Sequence, residues 1–208
     1  MERVLDIAKR IKAISGIGLL YTTNDYDKER YRELNAISEI LISNELKVSH
    51  DEVKSFYREC VDYPTPKVDI RAIVVNKDKR ILMVQEKADN RWSLPGGWAD
   101  IGQTPSEVAV KEVYEETGLQ VDCKYLSAVF DKRKHHHPPQ PFYVYKMVFY
   151  CELDLHTEPI LKPAFDVLDV AWFAMDALPP LSTDRILESQ VKAIYENIKH
   201  QNFITIFD

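Results

Sequence analysis

The sequence predicts an α/β fold, a sandwich built on a mixed sheet and preceded by a small helical domain. Three observations support this. Apolar residues at helical spacing dominate positions 1–63, runs of β-branched and aliphatic residues follow from position 68, and two strongly helical segments interrupt those runs. Strands that alternate with helices are typical of a sheet covered by helices. The 208 residues suffice for one full domain with an appendage.

Three short helices are predicted in the N-terminal segment. The first ends at the glycines Gly16 and Gly18, because glycine is a common helix stop. The second begins at the capping residue Asp27, and the third at Ser49, whose spacing to Glu52 is that of a capping box. Three helices of this length bury too little surface to be stable alone, so we expect them to pack on the rest of the chain or on a second subunit.

A proline-rich joint divides the chain. The segment Pro64-Thr65-Pro66 interrupts the helical pattern, which predicts a linker over 64–67 between a helical domain at 1–63 and a second domain at 68–208. The polar residues 76–79 separate the first two strands and predict a hairpin there. Strands are predicted over 68–75, 80–85, 125–130, 142–153 and 167–173, and helices over 105–117 and 183–200.

Composition and charge exclude several classes of protein. The net charge of −6 and the pI of about 5.6 argue against a broad surface for duplex nucleic acid, so a phosphate ligand would need metal ions. Three widely spaced cysteines form no metal-ligand pattern and indicate reduced thiols in a cytoplasmic protein. No apolar run reaches the roughly 18 residues that span a bilayer, and we expect no membrane partner and no targeting segment.

The strongest local signals surround the helix predicted over 105–117. Thr104 is a good N-cap, Pro105 suits the first helical position, Glu107 completes a capping box, and Gly118 suits the residue after the helix. A loop that contains Gly96 leads directly into this helix.

Three carboxylates share one face of that helix. Glu112, Glu115 and Glu116 stand at i, i+3 and i+4 and repel one another unless water or a cation separates them. A solvated acidic surface is one interpretation. The glycine loop beside the helix favours the other, a site for Mg²⁺ or Mn²⁺, because hard cations prefer carboxylates together with a backbone carbonyl such as that of Gly96.

The segment that runs from Gly97 through Gln103 to Lys111-Glu112-Val113-Tyr114-Glu115-Glu116-Thr117-Gly118-Leu119 resembles the Nudix box. This box is the signature of hydrolases that cut a diphosphate linked to a nucleoside. Two positions depart from it, since Gln103 replaces the usual glutamate and Lys111 the usual arginine. The flanking sequence is similar to the subgroup with an N-terminal helical domain, which includes ADP-ribose and CDP-choline pyrophosphatases. The resemblance implies a Nudix-type α/β/α sandwich and a homodimer.

The resemblance also implies a ligand set and a reaction. Glu112, Glu115 and Glu116, with the Gly96 carbonyl, would hold Mg²⁺ or Mn²⁺ and would be catalytic. Water would attack one phosphorus of a small-molecule nucleoside diphosphate-X substrate, so that a nucleoside monophosphate and a phosphorylated X group are released.

Three residues are candidates for the group that removes the proton from water. Nudix enzymes use either a box glutamate, here Glu112, or an acid on a loop before the last strand. We choose Asp166 for the loop acid, because it lies six residues before Trp172 as in related hydrolases, and Glu158 is its rival.

Four further residues are candidates for substrate binding. Arg71 and Arg91 suit a diphosphate, because guanidinium groups match phosphate oxygens, although a surface or structural role is equally open. Trp98 and Tyr143 are able to stack on a nucleobase, although aromatic residues are more often part of a core. The basic tract 132–137 is expected to be a solvated loop rather than a zinc site.

Two other functions stay open on the sequence alone. Gln103 and Lys111 would also suit a catalytically weak nucleotide-binding or regulatory module. Hydrolysis of RNA ends would use the same metal chemistry, but it needs a basic groove, and the net charge gives no sign of one.

Overall fold

A computed structural model describes residues 3–57, 63–154, 161, 163 and 167–208. Cys60, Glu158 and Asp166 lie outside the described residues. The chain forms two compact units, one of residues 1–66 with 139–143 and the other of residues 67–138 with 144–208. In the described part of the chain, no helix is both long and apolar enough to cross a membrane.

The first unit consists of helices α1 (Val4–Tyr21), α2 (Asp25–Leu46) and α3 (His50–Phe56). The prediction that α1 ends at Gly16 and Gly18 is wrong, because the helix continues to Tyr21. A Cβ on Gly18 would overlap the ring of Tyr31 on α2, so this glycine permits close packing of two helices instead of ending one. The N-cap of α2 is Asn24, not Asp27, and Asn24 Oδ1 accepts hydrogen bonds from the first turn.

The capping box predicted for α3 is confirmed. Ser49 Oγ accepts a hydrogen bond from the Glu52 N–H, and Glu52 Oε2 accepts one from the Ser49 N–H. Among the described residues of this unit, the buried apolar side chains form one small cluster, Leu5, Ala8, Ile42 and Val53, on which partly buried residues such as Leu41 pack.

A short segment from the distant part of the chain belongs to this helical unit. We call Pro139–Tyr143 the strap. The Tyr143 hydroxyl donates to the carbonyl oxygen of Asp6 at 2.9 Å. Phe142 packs edge-on against Phe56, with ring centroids 6.1 Å apart. The strap thus adds aromatic packing to a unit whose own apolar core is small.

The second unit contains two sheets. The five-stranded sheet has the order β4-β1-β6-β5-β8, and the three-stranded sheet the order β3-β2-β7. Strand β1 pairs in parallel with β6 and antiparallel with β4, so the larger sheet is mixed and the predicted fold class is confirmed. The strands are β1 (Lys67–Val74), β2 (Ile81–Glu86), β3 (Trp92–Ser93), β4 (Gly96–Trp98), β5 (Val121–Asp131), β6 (Val144–Leu153), β7 (Val167–Phe173) and β8 (Ile206–Phe207).

The hairpin predicted between the first two strands is reduced to a single bridge between Val75 and Ile81. Beyond that bridge β1 and β2 enter different sheets. Strand β1 is buried on both faces, because Ile70 and Ala72 join one core cluster and Ile73 the other. A strand of this kind occupies the interior of a sheet and not an exposed hairpin.

Two helices pack against these two clusters. Helix α4 (Pro105–Thr117) contributes Val113 to the first, and α5 (Glu188–Lys199) contributes Ile194 to the second. Helix α5 begins later than the predicted residue 183. The preceding residues form turns in which the carbonyl of Ser182 accepts from the N–H of Ile186 at 2.9 Å.

The basic tract is only in part the solvated loop that the sequence predicts, because Arg133, Lys134 and His136 are exposed but the two ends of the tract are buried. Lys132 begins a short 3₁₀ helix and is only 8% exposed, and His137 is 7% exposed. The Lys132 ammonium donates to the carbonyl oxygen of Asp184 at 2.6 Å, and His137 Nδ1 lies 2.7 Å from the carbonyl oxygen of Thr183. Carbonyls of the turn before α5 therefore bind both side chains, and bound side chains of this kind can be buried.

Burial lowers the pKa of His137 to about 4, and the positive charges of Lys132 and Lys146 act in the same direction. Because the unfolded chain takes up this proton near pH 6.5, we expect stability to be lost as the pH falls from about 6.5 through 4, by roughly 1–3 kcal/mol. His137→Asn keeps a donor for Thr183 but does not titrate. Its free energy of unfolding, from urea titrations at pH 4.5 to 7.5, should fall less steeply than that of the wild type.

His136→Asn is the matched control, because His136 is the adjacent and exposed histidine. Its stability should follow the wild-type profile. Parallel profiles for the wild type and His137→Asn would show that His137 is not buried in its neutral form.

Candidate active site

Helix α4 is anchored at both ends as the sequence predicts. Thr104 Oγ1 accepts a hydrogen bond from the Glu107 N–H at 3.3 Å, and Glu107 Oε2 accepts from the Thr104 N–H at 2.7 Å. Gly118 ends the helix in the left-handed conformation with φ 75°. These caps fix the length of the helix and therefore the positions of its carboxylates.

The strand that faces those carboxylates is β4. Its two glycines pair with residues of β1. Gly96 pairs with Arg71 and Gly97 with Ile70. Gly96 has φ +145°, and a Cβ there would overlap the Ile70 carbonyl oxygen and lie 2.8 Å from the Arg71 Cα. Only glycine fits this position, on grounds of both backbone conformation and space.

Two of the three helix carboxylates meet this glycine strand. Glu116 is buried, and its Oε2 accepts a hydrogen bond from the Gly96 N–H at 2.9 Å. Glu112 Oε1 is 2.8 Å from the point that a Cβ on Gly97 would occupy. Burial raises the pKa of Glu116 to about 8, against the opposing effect of the Arg71 guanidinium and the Gly96 hydrogen bond.

The third carboxylate, Glu115, lies near the ammonium of Lys111. Glu115 is exposed, and its Oε2 lies 3.7 Å from the ammonium of Lys111. Lys111 in turn donates to Asp100 Oδ2 at 2.7 Å. The residue at the usual arginine position therefore pairs with neighbouring acids. Gln103 is exposed beside the turn that precedes the helix.

The side chains present suit a hard divalent cation. Within the described ranges, no group of three His, Cys, Asp or Glu side chains is arranged as a metal cluster. Glu112 and Glu116 nevertheless provide oxygen donors that flank the same two glycines. A cation beside Glu116 would offset the cost of a buried carboxylate charge, and oxygen donors are those that Mg²⁺ and Mn²⁺ prefer.

Arg71 lies beneath the glycine strand and is 6% exposed. Its Nε donates to Asp69 Oδ1 at 3.0 Å, and one terminal nitrogen donates to the carbonyl oxygen of Leu94 at 3.0 Å and to Ser93 Oγ at 3.3 Å. Arg71 is predicted from the sequence to contact a diphosphate, but these partners are all atoms of the protein.

Further charges extend this buried network on one side. The second carboxylate oxygen of Asp69 accepts a hydrogen bond from the ammonium of Lys146, which is fully buried. Although burial opposes the effect, Arg71 and Lys146 hold the pKa of Asp69 below its usual range. Burial lowers the pKa of Lys146 to about 8.

On the other side, the network continues to Glu86. Its Oε1 accepts from Ser93 Oγ at 2.7 Å, and it lies 2.9 Å from Arg185 Nε and 3.6 Å from Arg71. Sequence reasoning missed Glu86, as well as Asp69 and Lys146. Charged residues inside otherwise apolar strands are a signal that could have found them, because unpaired charges are rarely buried.

The remaining candidates lie apart from this network. Trp98 follows Gly97 on β4 and is 49% exposed, with the Lys67 ammonium 5.3 Å from its ring centre. Arg91 is exposed in the loop before β3. Tyr143 lies in the strap of the helical unit, and the ammonium of Lys9 lies 4.4 Å from its ring centre.

Two family models match this chain. The family model for the NUDIX domain matches residues 65–193, and the model described as a UDP-X-like, N-terminal oligomerisation domain matches residues 2–57. A Bacillus subtilis (strain 168) protein named "Putative ADP-ribose pyrophosphatase YjhB" is 38% identical over 204 residues, which cover 98% of this chain and 96% of the relative.

Two solved structures are also similar. One is described as a UDP-X diphosphatase, is 29% identical, covers 98% of this chain and 97% of its own, and has a TM-score of 0.62. The other is described as an ADP-ribose pyrophosphatase from Streptococcus suis and is 36% identical, with a TM-score of 0.61 over 69% of this chain and 100% of its own. With the carboxylate helix and glycine strand described above, these matches show that the chain belongs to the NUDIX hydrolase family.

Proposed function

We propose that this protein hydrolyses the diphosphate bond of nucleoside diphosphate-X compounds in a metal-dependent reaction that releases a nucleoside monophosphate and phospho-X. ADP-ribose, UDP-linked compounds and CDP-choline are the substrates to test. The observation that carries the proposal is the placement of Glu112 and Glu116 against the Gly96-Gly97 strand. The names of the similar proteins support the substrate class, because they include ADP-ribose pyrophosphatase and UDP-X diphosphatase.

In the proposed mechanism, Glu112 and Glu116, with the Gly96 carbonyl and the more exposed Glu115, would hold Mg²⁺ or Mn²⁺. When bound there, the cation would neutralise charge on the diphosphate and would favour formation of the attacking nucleophile. The Gly96 N–H donates to one oxygen of Glu116, Oε2, and so orients the carboxylate. Burial of Glu116 excludes water from that carboxylate, so its interaction with a cation is stronger than at a surface.

The chain offers two side chains for substrate contacts. Trp98 is half-exposed at the end of the glycine strand, where its ring is able to stack on a nucleobase. Arg91 is exposed and suits a phosphate oxygen. The hydroxyl of Tyr143, the other aromatic candidate from the sequence, donates to the carbonyl oxygen of Asp6 within the helical unit.

Glu116→Gln tests the metal assignment. We expect the turnover of the best substrate in a panel of ADP-ribose, UDP-glucose and CDP-choline to fall by about 100-fold or more, because the amide removes one charged ligand from a buried site. Monophosphate release is measured by liquid chromatography with Mg²⁺, Mn²⁺ or EDTA. EDTA should abolish the wild-type reaction.

Glu196→Gln is the matched control, because Glu196 is a helical glutamate of α5 outside the site. It should keep wild-type turnover. Full activity of Glu116→Gln, or wild-type activity in EDTA, would contradict the proposal. Binding of the panel without cleavage would instead indicate a nucleotide-binding module, and cleavage of 5′-capped RNA alone would indicate an RNA-end hydrolase.

The general base is proposed to be Asp166, with Glu112 and Glu158 as alternatives. Asp166→Asn should lower kcat by about 100-fold and leave KM within about 3-fold, since proton transfer contributes to the transition state only. Glu158→Gln should have a smaller effect. Steady-state kinetics on the best substrate measure both, and the reverse ranking would assign the base to Glu158.

We also propose that the protein forms a homodimer through its helical unit. Apolar side chains are exposed along α2 at Leu34, Ile37 and Ile40, three residues apart, and along α1 at Val4, Ile7 and Ile14. An exposed apolar stripe of this kind fits a second copy of the chain. The description of the family model for residues 2–57 as an oligomerisation domain supports this choice.

The double variant Ile37→Glu/Ile40→Glu should shift the protein from dimer to monomer, because charges would have to be buried in the interface. Light scattering after size exclusion gives the mass, to be compared with the 24.2 kDa of one chain. Ile101→Glu is the control, since Ile101 is fully exposed in the second unit. A dimer that persists in the double variant would place the interface elsewhere.

A further inference from the structure

The interior of the second unit holds a cluster of buried, paired charges. Asp69, Arg71 and Lys146 are 6%, 6% and 0% exposed. Burying charges costs several kcal/mol per ion, and replacement of a buried ion group by apolar residues of similar volume is often neutral or stabilising. A cluster of this kind therefore calls for a role besides stability.

The bonds of the cluster lead towards the glycine strand. Lys146 and Arg71 hold the two oxygens of Asp69, which fixes the plane of the Arg71 guanidinium. That guanidinium then donates to the Leu94 carbonyl oxygen at 3.0 Å. Leu94 lies two residues before Gly96, and Gly96 itself rests on the Arg71 backbone. Gly96 finally donates to Glu116.

We infer that Arg71 is a positioning residue, which fixes the backbone of Leu94 to Gly96 so that Gly96 meets the carboxylates of α4. The role rests on the proposed function, since the site that Arg71 positions is the proposed metal site. It differs from the diphosphate contact predicted from the sequence, because the guanidinium acts on the protein backbone. Lys146 and Asp69 act through Arg71.

An arginine is required for this arrangement. The planar fork of donors reaches a carboxylate through Nε and a carbonyl through a terminal nitrogen at the same time, each at 3.0 Å. A lysine ammonium is a single point charge at the end of a flexible stem. It can keep the charge beside Asp69, but it has one nitrogen where Arg71 uses two separate nitrogens for the Asp69 carboxylate and the Leu94 carbonyl.

The expected effect follows from the accuracy that catalytic geometry demands. Active-site groups must be held within about 0.5 Å of their productive positions, and a displacement near 1 Å costs about 100-fold in rate. Loss of the Leu94 bond should therefore reduce turnover and metal affinity. It should leave the affinity for nucleotide nearly unchanged.

The test uses the full-length variants Arg71→Met and Arg71→Lys, with Arg185→Met as control. Arg185 also binds Glu86, at 2.9 Å, but it contacts Ser182 and not the glycine strand. Amide hydrogen exchange of the segment 92–98 and the Mn²⁺ dissociation constant, measured by calorimetry, report on position without turnover. Kinetics on the best substrate report kcat and KM.

Both Arg71 variants should show faster exchange over 92–98, Mn²⁺ binding at least about 10-fold weaker, and kcat at least about 10-fold lower, with KM within about 3-fold. Arg185→Met should resemble the wild type in exchange over 92–98 and in Mn²⁺ affinity. A failure of Arg71→Lys to restore the wild-type values supports a fork that bridges two acceptors.

Wild-type exchange over 92–98 and wild-type Mn²⁺ affinity in Arg71→Lys would overturn the inference, as would a rise in KM with unchanged kcat, which would assign Arg71 to the substrate. If Arg71→Met does not fold, Arg71→Lys and Lys146→Met carry the test, and Lys146→Met should show the same changes to a smaller extent. An inactive wild type would refute the proposed function, while the exchange data would still decide whether Arg71 positions the strand.

Discussion

The close approach of β4 to β1 at Gly96 is the constraint on which the site depends. The backbone of Gly96 lies where no other residue fits, above the Ile70 carbonyl and the Arg71 backbone. This contact fixes the position of β4 relative to α4. In that position the Glu116 carboxylate accepts a hydrogen bond from the Gly96 N–H at 2.9 Å. The helix caps at Thr104 and Gly118 fix the ends of α4, the helix that faces β4. The site is therefore defined by two backbone elements before any side chain is considered.

The charged side chains around β4 and α4 differ in burial. Glu116 and Arg71 are buried, whereas Glu115 and Lys111 pair nearer the solvent. Charges in the interior interact strongly and move little, because water does not screen them. Those at the rim contribute less, since exposed ion pairs are weak. The carboxylates on one helix face are thus not equivalent, although their spacing along the sequence makes them look so.

The features that the sequence predicts well are those determined by neighbouring residues. The α4 helix and its caps follow from a few adjacent positions, as does the NUDIX resemblance, and the family match confirms that resemblance. What could not be predicted depends on distant contacts. The role of Gly18 is an example. Glycine often ends a helix, and the close approach to Tyr31 that explains this glycine is a tertiary contact, which neighbouring residues do not reveal. The burial of Arg71 could not be predicted either, because it depends on how β1 pairs with β4 and β6.

The strap has a consequence for how the two units can be separated. Residues 139–143 lie between β5 and β6 in the chain, yet Phe142 and Tyr143 pack with the N-terminal helices. Removal of residues 1–66 would therefore not leave an intact second unit. It would leave two partly buried aromatic side chains without the residues on which they pack, on a connection inside the NUDIX domain. The helical unit is consequently not an exchangeable module, and any change in it that persists must preserve the surface on which the strap rests.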